Sequence, residues 1–177
     1  MSAVSMSNRS LNSVEFASTQ CVTLPCSPDT FELCSQPDRL ASMLDSYFSV
    51  AERCTRGLVR IRWAAAQPRF VLVWPRLTLI AMGEPNYESS TDRRAISLAV
   101  IGGALINPSS TARLAIAIER QPRSLRARIE LLGYQPRGAT HALVGWLYGR
   151  TQARVHAWVG NRYLRQFARS ARRQRPC

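Results

Sequence analysis

Residues 19–44 read TQCVTLPCSPDTFELCSQPDRLASML and contain the signals that decide the fold. Apolar side chains alternate with polar ones up to Pro25, so we predict a strand over residues 13–24 that ends at this proline. Ser27 and Pro28 then make a favourable helix start, because serine caps a helix and proline suits its first position. The stretch therefore predicts a strand that leads directly into a helix.

Two short helices are predicted in the rest of this stretch. The first covers residues 29–34, and Pro37 separates it from the second. The second helix has an apolar inner side, formed by Leu40, Met43 and Leu44. The sequence up to Leu44 therefore predicts a strand followed by two short helices.

From Ser46 onward the spacing of apolar residues changes to two. Clear alternation occurs over residues 59–63, 70–74, 113–118 and 125–131. Strict alternation is typical of strands with one buried and one solvated face, which are usually antiparallel. We therefore predict a curved antiparallel sheet of about six to seven strands, with a bend at Pro75 and a bulge or kink at Gly102 and Gly103.

A helical spacing returns over residues 140–172, which predicts one amphipathic helix about 45 Å long at 1.5 Å per residue. Its apolar stripe consists of Val144, Tyr148, Thr151, Val155, Trp158, Val159, Tyr163 and Phe167. Its polar stripe consists of Arg150, Arg154, Asn161, Arg165, Arg169 and Arg172. The glycines of this helix predict close packing against the sheet.

The length of 177 residues suits one domain with a substantial core. We expect that domain over residues 12–172, after a disordered leader over 1–11 and before a flexible basic tail over 173–177. No apolar run reaches the roughly 18 residues that span a bilayer. The first fourteen residues lack the apolar segment of a secretion signal, so we expect a cytoplasmic protein. Peripheral contact with a membrane is a further hypothesis.

Charge is the unusual property of the composition, because all 24 basic residues are arginine. Residues 1–52 carry a net charge of −4 and residues 53–177 a net charge of +17. This asymmetry predicts an anionic partner, either a membrane surface or RNA, although a general preference for arginine explains it equally well. The candidate anion-contacting residues are Arg162, Arg165, Arg169, Arg172 and Arg173.

No pattern of reactive residues predicts a catalytic centre, a cofactor or a metal site. The five cysteines are odd in number and contain no Cys-x-x-Cys pair, so neither a disulfide framework nor a zinc site is expected. His141 and His156 would stand about 22 Å apart on one helix, too far to share a metal ion. Phosphate-binding and nucleophile-elbow motifs are also missing from the sequence.

The order of elements resembles the helix-grip fold of the START/SRPBCC superfamily, which includes polyketide cyclases and coenzyme Q-binding proteins. The matching places are Pro25, Phe31, Pro37, Asp38, Arg39 and Leu40, whereas Met43 stands where members usually carry an aromatic residue. The resemblance implies an α+β fold in which the long C-terminal helix lies across a concave sheet, with an apolar ligand between them. It implies no reaction, because no catalytic motif is common to the superfamily.

By this resemblance, the residues expected to line the ligand cavity are Trp63, Trp74, Tyr148, Val155 and Trp158. The leading hypothesis is that the protein binds or carries an apolar small molecule such as a lipid, a quinone or a polyketide-like compound. One alternative is a cyclase or dehydratase-type enzyme, for which Tyr148, His141 or Glu130 would have to supply a polar group inside the cavity. Another is a nucleic-acid or ribosome-associated module that acts through the arginine face.

Overall fold

The computed structural model describes residues 4–12, 15–25, 28–137 and 142–173. Strands and helices follow in the order β1 (Val4–Asn12), β2 (Glu15–Pro25), α1 (Pro28–Cys34), α2 (Pro37–Cys54), β3 (Val59–Ala64), β4 (Gln67–Leu72), β5 (Leu77–Met82), β6 (Asn86–Ser89), β7 (Arg93–Gly102), β8 (Arg113–Gln121), β9 (Ser124–Tyr134) and α3 (Ala142–Arg173).

The nine strands of the described chain form one antiparallel sheet. Its order is β1-β2-β9-β8-β7-β5-β4-β3, and β6 pairs with β7 beside this path. Helix α3 packs on β2, whereas α2 packs on β3, β7, β8 and α3. This arrangement confirms the predicted α+β fold, a curved antiparallel sheet with a C-terminal helix across its inner face. The two helices follow the second strand, whereas they were predicted after the first.

The core lies between the inner face of the sheet and the two long helices. Alternation along β8 and β9 places one apolar residue in two on this face, and Ile116 on β8 is directly opposite Ile129 on β9. Burial of such side chains contributes about 1.5–3 kcal/mol each and orients the strand. On α3, Val159, Tyr163 and Leu164 complete the core from the other side.

Helix α2 is much longer than predicted, with 18 residues rather than a short turn after Pro37. The prediction placed strands from Ser46 onward, but the helix continues to Cys54. The helix continues because its apolar residues keep a helical spacing, and burial of this stripe against the sheet and α3 stabilises it. The stripe consists of Leu40, Met43, Leu44, Tyr47, Phe48, Val50, Ala51 and Cys54.

The sheet has more strands than predicted, chiefly at its first edge. Val4–Asn12, expected as part of a disordered leader, form strand β1, which pairs antiparallel with β2. Backbone pairing stabilises such an edge strand, and an apolar pattern does not report it. The short strand β6 was also not predicted. Of the tail predicted over residues 173–177, Arg173 instead ends α3, and residues 174–177 lie outside the described residues.

The predicted irregularity at Gly102 and Gly103 is confirmed. Gly103 has φ of 127°, in the region that favours glycine, and a Cβ there would overlap the backbone of Leu79 on β5. The pairing of β5 with β7 shifts at Ala81. The close approach of Gly103 to Leu79 lies where β3, β4 and β5 join the rest of the sheet. The sheet curves there and surrounds an interior space.

Candidate functional site

A cavity of about 320 Å³ lies between the inner face of the sheet and helices α2 and α3. The sheet contributes Phe16, Val59, Phe70, Leu79, Ile80, Met82, Val100, Leu114, Leu131 and Tyr134. The helices contribute Tyr47, Ala51 and Thr55 from α2, and Val155, His156 and Val159 from α3, with Leu105 and Pro136 from loops. Hydrocarbon therefore forms almost the whole wall.

The polar side chains of this wall include the pair Tyr47 and His156. The Tyr47 hydroxyl oxygen lies 3.3 Å from Nδ1 of His156. Burial lowers the pKa of His156 to about 4, so the imidazole is neutral at pH 7. Burial, with a smaller contribution from Cys54, also raises the pKa of Tyr47, so its hydroxyl stays protonated. The pair therefore offers hydrogen bonding without net charge.

Helix α3 reaches this position because Gly160 allows it to approach β2. A Cβ at Gly160 would overlap the amide group of Gln20, a side chain that is fully buried on β2. The Gln20 Nε2 donates a hydrogen bond of 3.3 Å to the carbonyl oxygen of His156. The close packing predicted from glycines in this helix is thus confirmed at Gly160. Together with the hydrogen bond from Gln20, this packing holds His156 in position at the cavity wall.

Of the residues expected to line the cavity, Val155 does so, at its edge, where it is 47% exposed. The three tryptophans do not. Trp63 is half-exposed and packs edge-on against Phe48, with ring centroids 5.9 Å apart. Trp158 is half-exposed on α3, and Trp74 is 85% exposed in the turn between β4 and β5. The side chain of Tyr148 lies outside the described part of the chain.

For Trp158 and Val155, the reason for this difference is the orientation of α3. The buried residues of its described side chains are Val159, Tyr163, Leu164 and Ala168, together with Gly160. The stripe that faces the sheet is therefore rotated from the predicted one, so that Val155 and Trp158 stand at its border. His156 was not among the predicted lining residues, but it lines the cavity. Its spacing of three and four residues from Val159 and Gly160 places it on the same side of the helix as this stripe.

The arginine face of α3 is exposed as predicted at Arg162, Arg165 and Arg169. For Arg172 and Arg173 the structure describes the backbone of α3 but not the side chains. Arg53 at the end of α2 reaches this face, where its Nη2 donates a hydrogen bond of 3.4 Å to Oε1 of Gln166. Tertiary packing therefore extends the basic face of α3 onto α2.

Glu130, a candidate polar group for an enzyme, lies on the opposite face of the sheet from the cavity. Its carboxylate pairs with Arg93 at 3.1 Å and with Arg128 at 2.9 Å. Glu88 belongs to the same network and pairs with Arg93 and Arg113. Burial alone would raise the pKa of Glu88, but its hydrogen bond from Ser97 and the two arginines outweigh burial and lower it. These acids therefore stabilise the outer face of the sheet.

The described residues contain neither a membrane-spanning helix nor a metal-binding cluster. No helix there is long and apolar enough to cross a membrane. No group of three or more His, Cys, Asp or Glu residues within the described ranges could hold a metal ion. His141, the other candidate for an acid or base, lies outside them.

No protein-family model matches the chain, and no curated protein matches it. Among solved structures, the crystal structure of CalU16 from Micromonospora echinospora is similar over 92% of this chain and 96% of that one. The two chains are 10% identical and superpose with a TM-score of 0.33.

Proposed function

We propose that this protein binds or carries an apolar small molecule, of the lipid, quinone or polyketide type, in the cavity between the sheet and helices α2 and α3. The observation that supports the proposal is the cavity itself, whose volume of about 320 Å³ and nearly complete hydrocarbon wall are those of a small-molecule site. The interior of an ordinary domain is packed without voids of this size.

The wall sets the chemistry of the ligand. Each methylene moved from water into such a space contributes about 0.8 kcal/mol, or roughly a fourfold gain in affinity. Tyr47 and His156 add a neutral polar group at one place in the wall. A mostly hydrocarbon ligand with a carbonyl or hydroxyl group at one end fits this wall best.

The proposal is tested by titrating the protein with the neutral fluorescent probe N-phenyl-1-naphthylamine. Two variants, Ala51→Phe on α2 and Val100→Phe on β7, each place an aromatic ring in the cavity. Leu33→Phe on α1 is the matched control, because Leu33 is 58% exposed and does not line the cavity. We expect probe affinity to fall about tenfold or more in both cavity variants, since each removes space for several methylenes, and to stay unchanged in the control.

Cooperative thermal unfolding of each variant confirms that it is folded before the probe is added. Equal probe affinity in the cavity variants and in the control would place binding elsewhere and contradict the proposal. Absence of probe binding to the unmodified protein, together with no apolar compound extracted from it, would contradict it as well.

One observation favours the alternative of a cyclase or dehydratase-type enzyme, namely the Tyr47–His156 pair in the cavity wall. The neutral imidazole of His156 can accept a proton, although its lowered pKa makes it a weak base. General base catalysis needs such a group within reach of the substrate. Mass spectrometry of compounds extracted from the unmodified protein and from His156→Asn separates the two functions. A carrier yields the same compound from both, whereas an enzyme yields a product from one and its precursor from the other.

The nucleic-acid alternative is supported by the exposure of Arg162, Arg165 and Arg169. Binding of this type releases counterions from the phosphates and therefore weakens steeply as salt rises. Titration with a single-stranded RNA at several salt concentrations tests it, and binding that is absent or independent of salt would contradict it.

A further inference from the structure

Two turns meet at one end of the sheet and expose apolar side chains together. The turn from α2 to β3 contains Leu58, and the turn from β4 to β5 contains Val73 and Trp74. The backbone N–H of Val73 donates a hydrogen bond of 2.9 Å to the carbonyl oxygen of Leu58, which holds the two turns side by side. Leu77 begins β5, directly opposite the last residue of β4. We call Leu58, Val73, Trp74 and Leu77 the apolar tip.

The apolar tip is unusually exposed for its composition. Trp74 is 85% exposed, Leu58 66%, Val73 49% and Leu77 45%. Single exposed apolar residues are common on protein surfaces, but a contiguous group rimmed by polar residues marks an interaction site. The tip is therefore a candidate docking surface, and its surroundings identify the partner.

Arginine surrounds the tip on every element that forms it. Arg56 lies in the first turn and Arg76 in the second, and both are exposed. From residue 53 to residue 83 the chain carries six arginines and no acidic residue, and the neighbouring acid, Glu52, pairs with Arg60 on β3.

This basic rim is continuous with the arginine face of α3. Arg53 precedes the first turn and contacts Gln166 on α3. Burial raises the pKa of the Cys54 thiol, and the positive charges of Arg162 and Arg53 both oppose that rise. One end of the molecule thus combines exposed hydrocarbon with positive charge from α2, the two turns and α3.

We propose that the apolar tip and its arginine rim dock on an anionic phospholipid bilayer. Tryptophan and aliphatic side chains gain free energy by entering the boundary between headgroups and acyl chains, while arginine pairs with lipid phosphate. Leu58, Val73 and Leu77 favour lipid over RNA, because aliphatic groups neither pair with phosphate nor stack like an aromatic ring on bases. Docking needs no ligand in the cavity, so it stands independently of the proposed carrier function.

The tip also adjoins the cavity. Thr55 and Val59, which flank Leu58 along the chain, both line the cavity wall. A bilayer held at the tip is therefore next to the walls of the proposed binding site, which suits exchange of an apolar ligand with the membrane.

The test is flotation of the full-length protein with vesicles of phosphatidylcholine alone and with vesicles that contain phosphatidylglycerol as about one third of the lipid. We expect binding to the anionic vesicles, weakening with salt, and little binding to the neutral ones. The double variant Trp74→Ala/Leu58→Ser and the double variant Arg56→Gln/Arg76→Gln should each bind about tenfold more weakly.

Matched controls are Leu33→Ser/Ile101→Ser, two exposed apolar residues elsewhere, and Arg123→Gln/Arg137→Gln, two exposed arginines elsewhere. Both controls should bind like the unmodified protein. No binding to anionic vesicles, or equal losses in the tip variants and their controls, would overturn the proposal. Binding of a single-stranded RNA that depends on Trp74 and Leu58, without vesicle binding, would overturn it in favour of a nucleic-acid partner.

Discussion

The hydroxyl oxygen of Tyr47 on α2 lies 3.3 Å from Nδ1 of His156 on α3, although 109 residues separate them in the chain. This contact joins the two long helices at the wall of the cavity. The contact also holds the titratable imidazole of His156 away from water, and this burial lowers its pKa to about 4. Both the stability of the fold and the chemistry of the cavity therefore depend on this pair.

Stability should decrease with acid because of His156. Its pKa is about 4 when folded and 6.5 in an unfolded chain, so between these values the unfolded state binds more protons and stability is lost as pH falls. The shift corresponds to about 3 kcal/mol, fully present above pH 6.5. Urea unfolding from pH 7 to pH 4.5 measures it. In His156→Asn this dependence should shrink, and an unchanged slope would contradict the burial of the imidazole.

Removal of the Tyr47 hydroxyl should destabilise the protein more than removal of the Tyr163 hydroxyl. Tyr47→Phe breaks the contact with His156 and should cost about 1 kcal/mol. The Tyr163 hydroxyl is buried and has no hydrogen-bond partner among the described residues, so Tyr163→Phe should be neutral or stabilising. Chemical denaturation of both variants compares two aromatic rings that are 5.7 Å apart. Equal losses would show that the contact contributes no stability.

Gly160→Ala should destabilise the protein even though alanine is a better helix former by up to about 1 kcal/mol. The added Cβ overlaps the buried amide of Gln20, and overpacking of this kind typically costs about 1–3 kcal/mol. Shortening the neighbour in Gln20→Ala/Gly160→Ala should recover part of the loss. A double-mutant cycle from urea unfolding measures the coupling, and strict additivity would show that the two residues do not touch.

Glu130→Gln should cost about 1–2 kcal/mol, because it removes one charged partner from Arg93 and one from Arg128, while Arg93 keeps Glu88 and Arg128 keeps Glu119. Glu84→Gln is the control, since Glu84 is exposed and a surface change of this kind stays within about 0.5 kcal/mol. Thermal or urea unfolding at pH 7 tests the difference. Probe binding in the cavity should be unaffected by Glu130→Gln, because Glu130 lies on the opposite face of the sheet.

Much of the fold was predictable because alternation and helical spacing report local burial. Strand β2, helix α1 and the long helix α3 were predicted within a few residues of their ends. The length of α2 was missed because Tyr47, Phe48 and Val50 fit both a helix and the start of a strand region. Only contact with the sheet and α3 decides between them.

The candidate site was less predictable than the fold. The resemblance to the helix-grip fold implied a cavity under α3 and tryptophans in its lining. At the sheet edge and in a turn, Trp63 and Trp74 instead face solvent to a large extent. The close approach of α3 to β2 at Gly160 also decides that the inward face of α3 includes His156. The spacing of His156 from Val159 shows only that the two share a helix face, because which face is buried depends on a distant strand.

Sequence alone determined the class of the fold, since the period of apolar residues along the chain is set by the geometry of a strand or a helix. It also determined the excess of arginine and the concentration of that charge after residue 52. Tertiary structure alone decided that Tyr47 meets His156, that Arg53 extends the basic face of α3, and that Leu58 and Trp74 share one exposed tip. Each of these depends on how distant elements pack, because a side chain's surroundings follow from the contacts of the whole chain and not from its neighbours in sequence.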